Sequence, residues 1–422
     1  MTISLWRERP EVMQQLGKIT VCGGGNGAQT LAAVAAYNLA CPIDLYAPFA
    51  DEAARLRAGV TALGGLETTG TVQAKSRPRR ISADPAQVIP GSGVVILVLP
   101  AFAHEATLRQ IVPFLDRDAW VGAMPARGGF DYCAAQVLKE QNREDVRLFG
   151  LQTLPWACRI EDYGQIVHVL GVKEMVDVAS RPAAQIGEIA SLLERMLGLP
   201  TGRTGNMLAL TLANTGQLIH PGIMYSLFAT YDGTPFGVED VPLFYRGLSQ
   251  EGARTLAELS DDVQAIRTRL GSEVDLSAVR PLFDWLLQSY GDAIADPATL
   301  HSAFVTNRAY AGLKAPVREV SADAAHRAGG VREEGQFVPD FESRYLAEDV
   351  PFGLAVSRAI AQMADVRTPT MDRVIAWAGT RLGKDYLGCD AGQARIPQAY
   401  GLDCLDQLLA FTAESNGRLR AA

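Results

Sequence analysis

The rhythm of hydrophobic positions changes about halfway along the chain. Lys18-Ile19-Thr20-Val21-Cys22 is short, apolar and β-branched, and Gly93-Val94-Val95-Ile96-Leu97-Val98-Leu99 is a continuous apolar run ending at Pro100. Such runs suit parallel strands buried on both faces, where the alternation of a half-exposed strand is lost. Residues 43–46, 120–125, 148–151, 166–170 and 175–178 read as further strands, and 183–197 as an amphipathic helix. Beyond Gly198-Leu199-Pro200-Thr201-Gly202 the apolar spacing becomes helical nearly everywhere, over 207–219, 249–270, 278–290, 354–363, 371–382 and 402–411. Thr368-Pro369 has the form of an N-cap followed by Pro at the first helical position. Residues 321–336 carry little apolar content and read as a mobile loop. The pattern predicts an α/β chain, with a parallel-sheet domain over 1–200 and an all-helical domain over 201–422.

Between the first strand and the first helix stands Gly23-Gly24-Gly25-Asn26-Gly27-Ala28. In G-x-G-x-x-G terms the three positions are Gly23, Gly25 and Ala28, a small residue being allowed at the third. The first permits a tight turn, the second lets a pyrophosphate approach the backbone, and the third keeps helix and strand close. Free N–H groups at the helix start, Asn26 and Gly27 among them, then face the phosphates. This predicts a Rossmann-type dinucleotide site, with Pro100 and Ala101 beside the cofactor at the carboxyl end of the 93–99 strand. Asp44 lies near the distance expected of a ribose-binding acid but sits inside its strand, and Asp51 and Arg55 follow it. The choice between NAD and NADP is therefore weakly marked. The basic run Lys75-Ser76-Arg77-Pro78-Arg79-Arg80 reads as a solvated hairpin rather than a 2′-phosphate site, and His104 as an exposed residue at a helix start.

Composition narrows the partners. The 422 residues are 48% hydrophobic and 20% charged, as in an ordinary globular protein with room for two cores. A formal net charge of -8 argues against nucleic acid or an anionic membrane as main partner. Cys22, Cys41, Cys133, Cys158, Cys389 and Cys404 have no CxxC spacing and suggest neither a zinc site nor a disulfide framework, so no metal is expected. Residues 1–17 lack the apolar run of a signal peptide, and the apolar stretch 94–102 is too short to span a bilayer; a cytoplasmic protein is expected.

Two places in the helical half could carry chemistry. In His220-Pro221 the proline disfavours helical backbone at the histidine, so the helix from Met207 should bend or stop there and present the imidazole. A histidine stabilising a helix C-terminus is an equally common reading. The second place is Phe341-Glu342-Ser343-Arg344-Tyr345-Leu346-Ala347-Glu348-Asp349-Val350-Pro351, in which Arg344 could fork a carboxylate or simply form a surface ion pair.

The strings VCGGGNGAQT, FADEA, SRPRRI, VVILVLPAFAHE, TLPWACRI, PLFYRG, RYLAEDVPFG and GKDYL, in this order from Lys18 to the C-terminus, resemble the octopine and opine dehydrogenase family. The resemblance implies an NADH-dependent reductive condensation of a 2-oxo acid, pyruvate foremost, with the α-amine of an amino acid, NADPH being the alternative reductant. It implies a monomer or small homo-oligomer with the reaction in a cleft between two domains. It makes His220 the acid/base, Asp349 the carboxylate that orients and charges it, and Arg344 the anchor of the oxo-acid carboxylate. Trp285, Thr153 and Cys158 match residues on the amino-acid side. Two positions depart from the octopine-type pattern. Gln152 stands where those sequences have a glutamate suited to a guanidinium, which argues against arginine as substrate. Arg127 stands where they have a neutral amide; it could bind a substrate carboxylate or a cofactor phosphate, or be a solvated surface residue. Against this stand a ketopantoate- or 2-oxo-acid-type reductase that uses no amine, and a dinucleotide-binding sensor without catalysis.

Overall fold

The structure, a computed structural model, describes residues 17–320 and 335–414. The stretches read above as lacking a leader and as a mobile loop lie almost wholly outside these. The chain divides into two compact units. The first comprises the described residues up to Ala213, Gly271–Val279, and those from Tyr400 onward.

Its centre is an eight-stranded sheet in the order β12-β11-β8-β7-β6-β1-β2-β5. The strands are β1 (Lys18–Cys22), β2 (Ile43–Tyr46), β5 (Arg80–Ser82), β6 (Ser92–Leu97), β7 (Trp120–Ala123), β8 (Arg147–Leu151), β11 (Val176–Arg181) and β12 (Thr201–Arg203). All neighbours are parallel except β8 and β11. Period-two alternation explains why the strands read as uninterrupted apolar runs. Ile19, Val21, Val94, Ile96 and Trp120 enter one core with helix α1 (Asn26–Leu39). Cys22, Val95, Leu97, Val121 and Ala123 enter another, with helices α3 (His104–Ile111) and α4 (Phe130–Glu140). Helix α2 (Glu52–Leu63) follows β2.

A second, four-stranded sheet has the order β4-β3-β10-β9, with β3 (Leu66–Gly70), β4 (Ala74–Ser76), β9 (Trp156–Asp162) and β10 (Ile166–Val172). The basic run is thus not a free hairpin: Ser76 ends β4, Arg80 begins β5, and Arg79 reaches inward. Asp44, fully buried in β2, accepts from Arg79 through both oxygens (3.1 and 2.7 Å) and from Lys18 Nζ at 2.6 Å. Charges out of water persist only when paired, so Asp44 holds strands together and is not the ribose acid.

Residues beyond 200 still pack with this unit, which runs to Ala213. β12 pairs with β11 after helix α5 (Ile186–Leu197), and helix α6 (Met207–Leu212) contributes Met207 and Leu210 to the second core of this sheet. The C-terminal helix, Leu405–Glu414, also belongs here; Phe411 packs edge-on against Tyr132 and lies under the Arg181 guanidinium.

The second unit, 214–270 and 280–399, is built of helices α7 (Gly216–Phe228), α8 (Gln250–Leu270), α9 (Leu282–Tyr290), α10 (Leu300–Thr306), α11 (Arg344–Ala347), α12 (Ala355–Met363) and α13 (Pro369–Leu382). A small antiparallel sheet joins Phe236–Gly237, Gln336–Pro339 and Val317–Glu319. The expected interruption at His220 does not occur. α7 runs through Pro221, and the break lies earlier, between Leu212 and Gly216. An internal proline costs a helix about 3 kcal/mol. Burial of Leu218, Ile219, Ile223 and Met224 and close contact with α8 work against that cost: a Cβ on Gly222 would lie 2.5 Å from Leu256.

No helix among the described residues is long and apolar enough to cross a membrane. None of their His, Cys, Asp and Glu side chains form a group of three or more suited to a metal ion.

Candidate active site

In the first unit the parallel strands β1, β6, β7 and β8 end at one edge, and the predicted residues emerge there. Backbone bonds lace the loops together: Val98 N donates to Cys22 O (2.9 Å), Met124 N to Leu97 O (2.9 Å) and Ala126 N to Leu151 O (2.9 Å). Gly23 has φ +132°, and a Cβ there would stand 2.5 Å from Val98 O. Gly25 has open space where its Cβ would be, so a phosphate can approach. Ala28 is fully buried, its methyl 3.3 Å from where a Cβ on Gly23 would stand. No acidic side chain occupies the first turn of α1. This cradle fits a dinucleotide's pyrophosphate.

The hairpin of β9 and β10 is fastened over the same turn. Ile160 N donates to Asn26 Oδ1 (2.8 Å), Gly164 N donates to Gln29 Oε1 (3.0 Å), and Gln29 Nε2 donates to Gly24 O (2.8 Å). The Asn26 side chain therefore braces the turn, leaving its backbone N–H for a phosphate role. Glu52, from α2, and the Tyr163 hydroxyl flank Gly24, each about 3 Å or less from where its Cβ would be. Burial raises the Glu52 carboxyl above its usual value, with Arg55 pulling the other way.

Pro100 is exposed and Ala101 buried at the end of β6. His104 is not exposed as expected: it is wholly buried, its Nε2 donating to Leu99 O at 3.1 Å and its ring edge-on to Phe130. Arg127 is buried rather than solvated, at 8% exposure, with φ +56° in the loop after β7. Gln152 is buried after β8; its backbone N–H donates to Asp177 O (2.9 Å) and its side-chain amide donates to Ala213 O. Thr153 next to it is half-buried, while Cys158 lies in the apolar core.

In the second unit His220 is held at both ring nitrogens. Nδ1 lies 2.7 Å from Asp349 Oδ2, and Nε2 lies 2.9 Å from the Tyr245 hydroxyl. Asp349 is fully buried where α11 gives way to a π-helical turn, Val350–Leu354. Its backbone N–H donates to Arg344 O (3.2 Å) and its carbonyl accepts from Leu354 N (3.0 Å), which fixes the carboxylate. Because a carboxylate only accepts, Nδ1 carries a proton and Nε2 is the nitrogen left for chemistry. Tyr345 stacks on the imidazole with centroids 4.2 Å apart.

Arg344 opens α11, one turn before Asp349, and is reachable by solvent. Crowding by protein works against its charge, but Tyr345, Glu348 and Asp349 more than offset this, and its pKa lies above the usual guanidinium value. Trp285 is buried and joins the histidine through successive ring contacts, Trp285 to Tyr290, Tyr310, Tyr245 and His220, with centroids 6.1, 5.0, 4.0 and 6.1 Å apart. Each of the four residues expected in this half thus belongs to one cluster. Tyr245 and Tyr345 are the additions: both stand inside strings that mark the family, PLFYRG and RYLAED, but nothing in their spacing announces contact with His220.

The chain is similar to known proteins over most of its length. Residues 203–382 match the family model described as the NAD/NADP octopine/nopaline dehydrogenase alpha-helical domain. An opine dehydrogenase of Haliotis discus hannai is 36% identical over 415 residues, covering 93% of this chain and 98% of that one. The chain belongs to the octopine and opine dehydrogenase family. It is an opine dehydrogenase by class, an NAD(P)-dependent oxidoreductase. Within the family, the solved octopine dehydrogenase with NADH and L-arginine is 31% identical, with a TM-score of 0.80 over 96% of this chain and 99% of that chain. The same enzyme with NADH and pyruvate gives a TM-score of 0.77 over the same shares.

Proposed function

We propose that this opine dehydrogenase joins pyruvate, or a close 2-oxo acid, to the α-amine of a neutral or acidic amino acid, using NADH. The observation that carries the reading is His220 fixed by Asp349 one helical turn from the solvent-reachable Arg344. Arg344 takes the oxo-acid carboxylate in paired N–H···O bonds. The carbonyl oxygen is then within the domain of the His220 Nε2 proton. The neutral amine attacks the carbonyl carbon, and the oxygen gains two protons in turn, the first from His220, and leaves as water. The C=N bond so formed is protonated at nitrogen and strongly electrophilic. The Gly23–Ala28 turn would hold a reduced nicotinamide dinucleotide by its pyrophosphate, and the hydride that completes the secondary amine would come from that dinucleotide. Asp349 keeps the imidazole charged and aimed throughout.

Arginine is disfavoured because Gln152, a neutral buried amide already donating to Ala213 O, is a poor partner for a desolvated guanidinium. NADH is favoured because the Glu52 carboxyl lies beside Gly24, where a 2′-phosphate would meet a like charge, while Arg79 is engaged by Asp44 and Arg55 pairs with Asp51 at 3.0 Å. Glu52→Ala should narrow the preference for NADH over NADPH about tenfold in kcat/KM; an unchanged ratio removes Glu52 from the choice. The reading as a whole is tested by NADH oxidation with pyruvate across alanine, methionine, glutamate and arginine. Oxidation that needs an amine, with arginine the poorest, supports it. Oxidation independent of amine favours a simple 2-oxo-acid reductase, and a clear preference for arginine contradicts the substrate assignment.

A further inference from the structure

The Tyr245 hydroxyl sits 2.9 Å from His220 Nε2, the one imidazole nitrogen that Asp349 does not hold. Accepting His220 as the acid/base, we propose that Tyr245 is a positioning residue, whose hydroxyl holds Nε2 and supports the extra proton of the imidazolium until the substrate's oxygen arrives. Burial pushes the Tyr245 phenol well above its usual range, so it stays protonated wherever the histidine titrates. It can then serve both states. Its O–H donates to Nε2 of the neutral ring, and its oxygen accepts from Nε2–H of the charged ring while the phenolic proton turns elsewhere. The ring itself cannot swing away, since Tyr345 covers one face (4.2 Å) with Phe244 stacked behind it (4.6 Å). Tyr310, 4.0 Å from Tyr245 and nearly parallel to it, holds the phenol in place in turn.

Other groups also surround His220. Asp349 holds Nδ1, Arg344 and Tyr345 come from the short helix α11, and Glu348 caps its C-terminus. From α8, packed on the far side of α7, the side chains next to Gly222 are Leu256 and Leu259, and Asp262 is turned to the backbone N–H groups of Thr370 and Met371. Hydrogen bonds to a charged partner are about twice as strong as those between neutral groups. Removing the hydroxyl therefore penalises the imidazolium more than the neutral ring, and the His220 pKa should fall.

The test is Tyr245→Phe in the full chain, which keeps the stacked ring and deletes one oxygen. Imidazole 15N NMR without substrate, with the His220 resonances identified by their loss in His220→Gln, should show its pKa lowered by about one unit. The alkaline limb of amine-dependent NADH oxidation should move to lower pH by the same amount. Tyr310→Phe, which keeps the ring stacked on Tyr245 and leaves the Tyr245 hydroxyl in place, should move neither. An unshifted His220 titration in a folded Tyr245→Phe protein overturns the proposal, whatever the rate does. A shifted titration in a protein with no amine-dependent activity upholds the contact and rejects the reductive condensation instead.

Discussion

A single imidazole is gripped by a buried carboxylate on one nitrogen and a phenol on the other, with a guanidinium one helical turn away from the carboxylate. Such an arrangement is expensive to build, because Asp349 has no exposure to water, and it makes sense where a proton must be held ready near an anion. His220→Ala should lower turnover by about 10²–10⁴, the usual span of a general acid/base, while dinucleotide affinity measured by NADH fluorescence stays unchanged. Parallel loss of NADH binding would show instead that the variant damages the fold. Arg344→Lys keeps the charge but loses the fork, so KM for the oxo acid should rise at least tenfold with a smaller change in kcat. At this scale the sequence is informative where motif strings hold the polar groups: His220, Arg344 and Asp349 all stand in such strings, and the structure brings them into one cluster. The contact of Tyr245 is not legible there, because its partner lies 25 residues away and no periodicity links the two. His104 shows the converse limit: its place at a helix start suggests exposure, whereas folding buries it against Leu99 O and Phe130.

Elements of secondary structure place these residues, and here local rules and packing sometimes disagree. Pro221 argues locally for a break at His220, but the helix continues because its apolar side chains and its glycine contact with α8 outweigh one missing hydrogen bond. In the nucleotide unit the glycine turn was readable as a strand, turn and helix, yet its support was not. The hairpin of β9 and β10 reaches it through Asn26 and Gln29, over more than 130 residues of chain. Gln29→Leu leaves Gly164 N–H and Gly24 C=O without these partners in a buried place, at a cost of about 1–3 kcal/mol. The variant should melt several degrees lower and bind NADH about tenfold more weakly. Lowered stability with undiminished NADH affinity would mean that the hairpin supports the fold and not the turn's conformation. The strands β3, β4 and β9 escaped the hydrophobic pattern because they are half exposed and polar, with Glu67, Lys75, Arg159 and Asp162 among their residues.

At the scale of the whole molecule, two separately built units carry the two kinds of group the reaction needs. In the proposed reading the edge of a parallel sheet offers the dinucleotide cradle, and a helical unit offers His220 as acid/base and Arg344 as carboxylate anchor. Family membership rests on a likeness running nearly end to end, and it leaves open which amine is used. Gln152 and Arg127, the two positions at which the resemblance implies a departure from the octopine-type pattern, are both buried at the carboxyl edge of the sheet. Gln152→Glu should raise kcat/KM for arginine about tenfold relative to alanine, since it restores a charge for the guanidinium; an unchanged ratio would place substrate choice elsewhere. The most direct test of the whole account is mass detection of the product formed from pyruvate, NADH and a 15N-labelled amino acid. The account predicts a secondary amine that keeps the 15N and has the combined mass of the two substrates less one water plus two hydrogens. Lactate as the sole reduced product, with the labelled amino acid untouched, would contradict it.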